Sequence, residues 1–315
     1  MRDFRNIIFV LIVLTFILQI YVTNKDAEKA QESTSSKPIV AVSTFAIYDI
    51  TKSIAANSIE IVNILPFGVD AHSFEPTPKL MVALEKSKLV IYSGAGLEPW
   101  TEGFDFKSRV LDISKYVKLR ELKPDEFDRH SHHDNQCAHS KIDPHYWLDI
   151  GNMIIATNTI TQELIAIFPQ NKQMYTQNAQ KYMKKLELLD QDYKRALSSC
   201  STDTIITNHN AFSYLSKKYN FHVEALSGLS PETEPSAKDI TRLMKHIKEE
   251  RVSTIFFESF VSDKVMKSIA HDVDVKVDVL QPLGNITENE FKRSATYEDI
   301  MRENLKKLSK ALMCR

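Results

Sequence analysis

Apolar residues in this chain fall into two kinds of pattern. Some form short runs of strand length; others recur every three or four positions, as on one face of a helix. Ile39 to Val42 is a buried-strand run, and a helical stretch follows it through Ala55. IEIVNIL, residues 59–65, is a strand closed by Pro66, and Thr77 to Lys86 has a helical repeat. LVIYSG at 89–94 and RVLDIS at 109–114 are two further strands. The second half repeats this logic. DTIIT at 203–207 is a strand, with a helix near Ala211–Tyr219 and a strand FHVEAL at 221–226. Ser236 and Asp239 have the spacing of a capping box, and Ile240, Leu243, Met244 and Ile247 form the apolar stripe of the helix that follows. VSTIFFES at 252–259 and VKVDVL at 275–280 are strands, and a helix closes the chain from about Tyr297 to Leu312.

Between the halves, Asn171 to Leu197 contains neither glycine nor proline. Ala179, Tyr182, Leu186, Leu189 and Tyr193 recur there at spacings of three and four, which predicts one long helix of roughly 40 Å. The expected class is therefore α/β: two similar βα lobes with mainly parallel sheets, joined by one long rigid helix, with a cleft between them. The boundaries expected are a segment 1–23, a flexible tether 24–37, a first lobe 38–168, a linking helix 169–198 and a second lobe 199–315. In segment 1–23, Arg2 and Arg5 precede an apolar run from Ile7 to Val22. That is the shape of a secretory signal peptide, or of an N-terminal anchor if it is retained.

Composition narrows the function. With 40 basic and 41 acidic residues the net charge is −1, so nothing favours nucleic acid. Seven glycines and no Gly-rich phosphate motif argue against nucleotide binding. The three cysteines are Cys137, Cys200 and Cys314. Cys200 and Cys314 could pair if both lie in one lobe, but spacing does not fix the pairing.

Histidine changes the picture more. Five of the ten lie within DRHSHHDNQCAHSKIDPHYWLD, residues 128–149, and imidazole is the commonest side-chain metal ligand. In open α/β sheets, ligands bind beyond the carboxyl ends of strands. His72 follows the strand 59–65, His209 follows 203–207, and His145 precedes the connection into the long helix. Taken singly, His72 reads more readily as a loop histidine, His209 as a helix cap and His145 as a core residue beside Tyr146 and Trp147; together they could converge on one cleft. His222, His246 and His271 read as surface or structural residues.

The phrases GVDAHSFEPTP, DPHYWLDIGNM, FPQNKQMYTQNAQKYMKKL, TNHNAFSYL and QPLG resemble those of the solute-binding proteins of zinc and manganese ABC importers, cluster A-I, also called bacterial solute-binding protein family 9. The resemblance runs from Pro38 to Arg315 and is to the zinc type. It implies two α/β lobes bridged by a long helix and a single ion held between them by His72, His145 and His209. The family's usual last ligand is a carboxylate, and Gln281 stands in its place. Gln281 could ligate weakly, water could fill the position, or a carboxylate such as Glu258, Asp278 or Glu75 could swing in.

Three nitrogen ligands favour Zn²⁺ over Mn²⁺, which prefers more oxygen, although a manganese-binding member is the nearest alternative. The auxiliary loop 128–140, with His130, His132, His133 and His139, is expected to collect zinc or to sense it. The resemblance implies a non-enzymatic monomer in the periplasm or another extracytoplasmic space. Its partners would be an ABC permease and its ATPase subunit, with membrane association through the permease or through an uncleaved N-terminal anchor. A zinc-dependent hydrolase, an adhesin and a zinc buffer without a permease are the rival readings; no H-E-x-x-H motif supports the first.

Overall fold

The strand runs predicted above pair into two four-stranded parallel sheets with the same connectivity. The computed structural model describes residues 37–122, 141–230, 235–259 and 264–315. In the first sheet β1 (Ile39–Val42), β2 (Glu60–Asn63), β3 (Leu89–Tyr92) and β4 (Arg109–Asp112) lie in the order β2-β1-β3-β4. Three more strands complete the picture on the way to the second sheet: β5 (Arg120–Leu122) and β6 (Lys141–Asp143) form an antiparallel pair, and β7 (Thr204–His209) starts the second sheet. With β8 (His222–Ser227), β9 (Thr254–Phe257) and β10 (Lys276–Val279), the second sheet runs β8-β7-β9-β10. Each sheet thus places its second strand outside its first and its third and fourth on the other side, as expected of two similar lobes.

Period-two alternation gives each sheet two buried faces. Val40 and Val42 join a large core shared by both lobes, while Ala41 turns to a small cluster with Ile64, Leu84, Val90 and Trp100. Ile205 likewise faces the shared core, whereas Ile206 faces a separate cluster with Leu226, Leu243 and Ile255. Residues Ile39–Arg315 form one compact unit around that shared core.

The helices are α1 (Phe45–Ala55), α2 (Pro78–Glu85), α3 (Ile150–Ile167), α4 (Lys172–Ala196), α5 (Ser213–Tyr219), α6 (Ala237–Glu249), α7 (Lys264–Val273), α8 (Glu288–Lys292) and α9 (Tyr297–Ala311). The predicted capping box holds: Ser236 Oγ accepts from the Asp239 N–H, and the Asp239 carboxylate accepts from the Ser236 N–H. The predicted spine is α4, 25 residues long, or roughly 37 Å at 1.5 Å per residue. Its stripe of Tyr175, Ala179, Tyr182, Leu186, Leu189 and Tyr193 is buried. Tyr182 Oη donates to Asp49 on α1 of the first lobe, and Tyr193 Oη donates to the Met301 carbonyl on α9 of the second. A single helix therefore anchors to both lobes through buried hydroxyls, each such bond contributing about 1 kcal/mol.

Helix α3 has no counterpart in the sequence reading. Half of its residues are isoleucine or threonine, types that favour strands. The threonine hydroxyls are satisfied within the helix, Thr157 bonding the Met153 carbonyl and Thr161 the Thr157 carbonyl. The helix can then be buried against α4 and α1 without orphaned donors. Cys200 and Cys314 form a disulfide that ties the end of the spine to the end of the chain. Cys137 and the auxiliary histidines His130, His132, His133 and His139 lie outside the described residues, as do segment 1–23 and most of the tether. Among the described residues no helix is long and apolar enough to cross a membrane.

Candidate metal centre

The carboxyl ends of both sheets open onto one narrow pocket between the lobes, lined by Asp70, His72, His145, His209, Glu258 and Asn285 among others. His72 sits in the loop between β2 and α2, where the Asp70 carboxylate accepts its backbone N–H at 2.8 Å. His145 sits between β6 and α3. His209 is the last residue of β7, two residues further into the strand than the sequence pattern indicated. Alternation puts it on the face of Ile205 and Thr207, toward the shared core.

Among the described residues, His72, His145 and His209 form the one group of three metal-ligand side chains whose donor atoms all lie within 4.8 Å. His145 Nε2 is 3.3 Å from His72 Nε2 and 3.5 Å from His209 Nε2. Tetrahedral zinc with Zn–N bonds of about 2.0–2.1 Å spaces its nitrogens about 3.3–3.4 Å apart. These two edges lie close to that spacing.

The opposite nitrogens explain why the Nε2 atoms are free to ligate. His145 Nδ1 lies 2.7 Å from Asp143 Oδ1, which also accepts the His145 backbone N–H at 2.9 Å. His209 Nδ1 is in direct contact with Glu258 Oε1. A carboxylate partner fixes the proton on Nδ1 and leaves Nε2 as a bare lone pair. When both rings are neutral these two lone pairs face each other at 3.5 Å, and a cation between them removes the repulsion. Asp143 is fully buried and Glu258 almost so. The charge of a divalent ion, uncompensated by three neutral rings, would meet these two carboxylates just behind the rings.

Burial and the charges of His145 and His209 together depress the His72 pKa to about 2, so this ring is neutral at any physiological pH. At His209 burial pulls the pKa down, but the charge and hydrogen bond of Glu258, with Asp70 and Asp143, outweigh it and raise the value. Burial raises the Asp70 carboxyl against the lowering effect of the His72 N–H bond.

The structure does not bring Gln281 into this pocket. Its Nε2 donates to both carboxylate oxygens of Glu290, at 3.3 and 3.1 Å, and to Ser259 Oγ. Asn304 clamps its backbone on both sides. Pro282, Gly284 and Asn285 reach the pocket instead. The Pro282 carbonyl accepts from Trp147 Nε1, and Asn285 Nδ2 donates to the Pro66 and Val69 carbonyls in the loop that leads to His72. Of the other carboxylates considered, Glu258 is committed to His209, Asp278 Oδ1 accepts from the Val279 N–H, and Glu75 is exposed. Asp70 and Asp143 are the site residues that sequence reasoning missed. Asp143 stood in plain view in the DPH phrase, two residues before a candidate ligand.

Comparison with known proteins adds an independent line. The profile of the family described as zinc-uptake complex component A, periplasmic (ZnuA), matches residues 40–311. The high-affinity zinc uptake system protein ZnuA of Bacillus subtilis is 30% identical over 308 residues, 96% of each chain. The zinc-binding lipoprotein AdcA of Streptococcus pneumoniae is 28% identical over 288 residues, which cover 88% of this chain but 56% of AdcA; the chain thus spans about half the length of that relative. The crystal structure of the Zn(II)-bound ZnuA-like domain of AdcA superimposes with a TM-score of 0.73 at 26% identity, covering 88% of this chain and 99% of that domain.

Proposed function

The chain belongs to the family of zinc-uptake complex component A, and from that premise we propose that it is the extracytoplasmic solute-binding component of a zinc ABC importer. It captures Zn²⁺ between its lobes with His72, His145 and His209 and hands the ion to a membrane permease driven by an ATPase subunit. The observation that carries this reading is the convergence of three imidazoles whose donor atoms lie within 4.8 Å of one another, with His145 Nε2 at 3.3 and 3.5 Å from the other two and carboxylates behind two of the rings. Water is the fourth ligand in this reading, since Gln281 is not among the residues that line the pocket. Three nitrogen donors favour zinc over manganese.

An address outside the cytoplasm is supported by the Cys200–Cys314 disulfide, because such bonds persist in oxidising compartments. Segment 1–23 either directs export and is removed, or remains as an anchor near the permease. The spine helix is packed on both lobes, so ion release proceeds through local movement at the cleft, without wide opening of the lobes. The carrier role involves no chemical conversion of a substrate.

Elemental analysis of the protein purified without chelator tests the reading. Zinc is expected in the unmodified chain, with one equivalent fewer in both His72→Ala and His209→Ala. An unchanged zinc content in both variants, or manganese in place of zinc, would refute it.

A further inference from the structure

The ring of His145 is carried by the first lobe, yet part of what holds it comes from the second. Ser213 is the first residue of α5, four positions beyond His209. Its Oγ donates to Asp143 Oδ2, while Asp143 Oδ1 accepts both His145 Nδ1 at 2.7 Å and the His145 N–H at 2.9 Å. A hydroxyl, a carboxylate and an imidazole thus form a chain that crosses from one lobe to a metal-facing ring on the other. The next residue fastens the same point: Tyr214 Oη donates to the Asp143 carbonyl at 2.9 Å and accepts from the Arg120 N–H at 2.7 Å. Lys218, on the same short helix, is ion-paired with Asp149 at the start of α3 and with Asp190 on the spine.

We propose that Ser213 is a positioning residue for metal capture: its hydroxyl fixes the plane of the Asp143 carboxylate and, through it, the plane of the His145 ring. This deepens the zinc reading above and rests on it. The terminal torsion of an aspartate is broad and roughly two-fold, so two donors on Oδ1 alone leave the carboxylate free to pivot. A third donor on Oδ2 removes that freedom, and the ring bonded to Oδ1 stays aimed with Nε2 at the other two histidines. The second lobe then contributes to the site twice within five residues, once with the ring of His209 and once with the hydroxyl that aims His145. A small displacement of the segment 209–213 withdraws one ligand and loosens another in the same movement, which gives a compact route to ion release.

The test uses the full chain with Ser213→Ala and Ser213→Thr. Tyr182→Phe, which removes a buried hydroxyl–carboxylate bond on the spine, serves as a comparator for stability loss. Three quantities are read: zinc affinity by competition with a chromophoric chelator, the thermal midpoint of the metal-free protein, and the visible bands of the Co²⁺-loaded protein. Ser213→Ala is expected to weaken zinc binding about ten-fold, in the range seen when partners behind metal ligands are lost, and to alter the cobalt bands. Ser213→Thr restores both. Tyr182→Phe lowers the thermal midpoint and leaves affinity and bands unchanged. Unchanged affinity or unchanged cobalt bands in Ser213→Ala, or an equal affinity loss in Tyr182→Phe, would overturn the proposal. His209→Ala in the same assay separates the two readings. If it binds zinc like the unmodified chain, the metal site itself is wrong; if it loses zinc while Ser213→Ala keeps it, only the role of Ser213 fails.

Discussion

Acid should strip the ion from this site in a way that depends on one ring and not on another. Zinc and a proton compete for the same Nε2 lone pair, because Nδ1 of His209 is held by Glu258. A ring of ordinary pKa, about 6.5, is roughly one-tenth protonated at about pH 7.5 and nine-tenths protonated at about pH 5.5. That competition weakens apparent affinity about ten-fold over the interval. The Glu258 charge and bond, with Asp70 and Asp143, overcome burial and raise the His209 pKa. Competition therefore begins at higher pH, and ten-fold is the floor for this ring. His72 adds nothing, since burial and its two neighbouring rings hold its pKa near 2. The assay is a chelator competition titration at a series of pH values, with NMR of the ring protons in the metal-free protein. Affinity that stays flat between about pH 7.5 and 5.5 would refute histidine ligation. A His72 ring that titrates near its ordinary value would refute the electrostatic account of the pocket.

Three other outcomes follow from groups other than the three rings. Glu258→Gln keeps an acceptor at His209 Nδ1 but removes a buried charge behind the ring, and zinc affinity should fall about 10–100-fold by calorimetric titration. Cys314→Ser opens a loop of sequence separation 114; the chain-entropy relation gives up to about 5 kcal/mol of lost stability, measured by urea unfolding, with zinc stoichiometry intact. Asp49 has its pKa raised to about 6, by burial first, with the Tyr182 bond opposing. An acid whose folded pKa lies above its unfolded one stabilises the fold below about pH 4 and loses that contribution as pH rises through about 6. Asp49→Asn should therefore gain stability relative to the parent chain on going from about pH 4 to about pH 7.5, by about 2 kcal/mol; an unchanged difference across that range would contradict the burial argument.

The amino-acid sequence by itself determined most of the local elements and the candidate ligand types. Parallel-sheet strands read as apolar runs because both faces are buried, as at Val40, Ala41 and Val42. The spine was legible because its stripe keeps one period over 25 residues. His72, His145 and His209 were legible as strand-end and motif residues. Helix α3 was not, since its isoleucines and threonines carry a strand signal that burial against two helices overrides.

Only the tertiary structure decided the chemistry of the site. Pairing of β7 with β9 carries Glu258 alongside His209, and docking of α5 brings Ser213 to Asp143 across 70 residues of chain. It likewise turned the side chain of Gln281 to Glu290 and joined Cys200 to Cys314. The reason is physical: a one-dimensional pattern records what each residue does to its own backbone and which face it shows. Which nitrogen of a ring is bare depends on a partner that arrives from elsewhere in the chain.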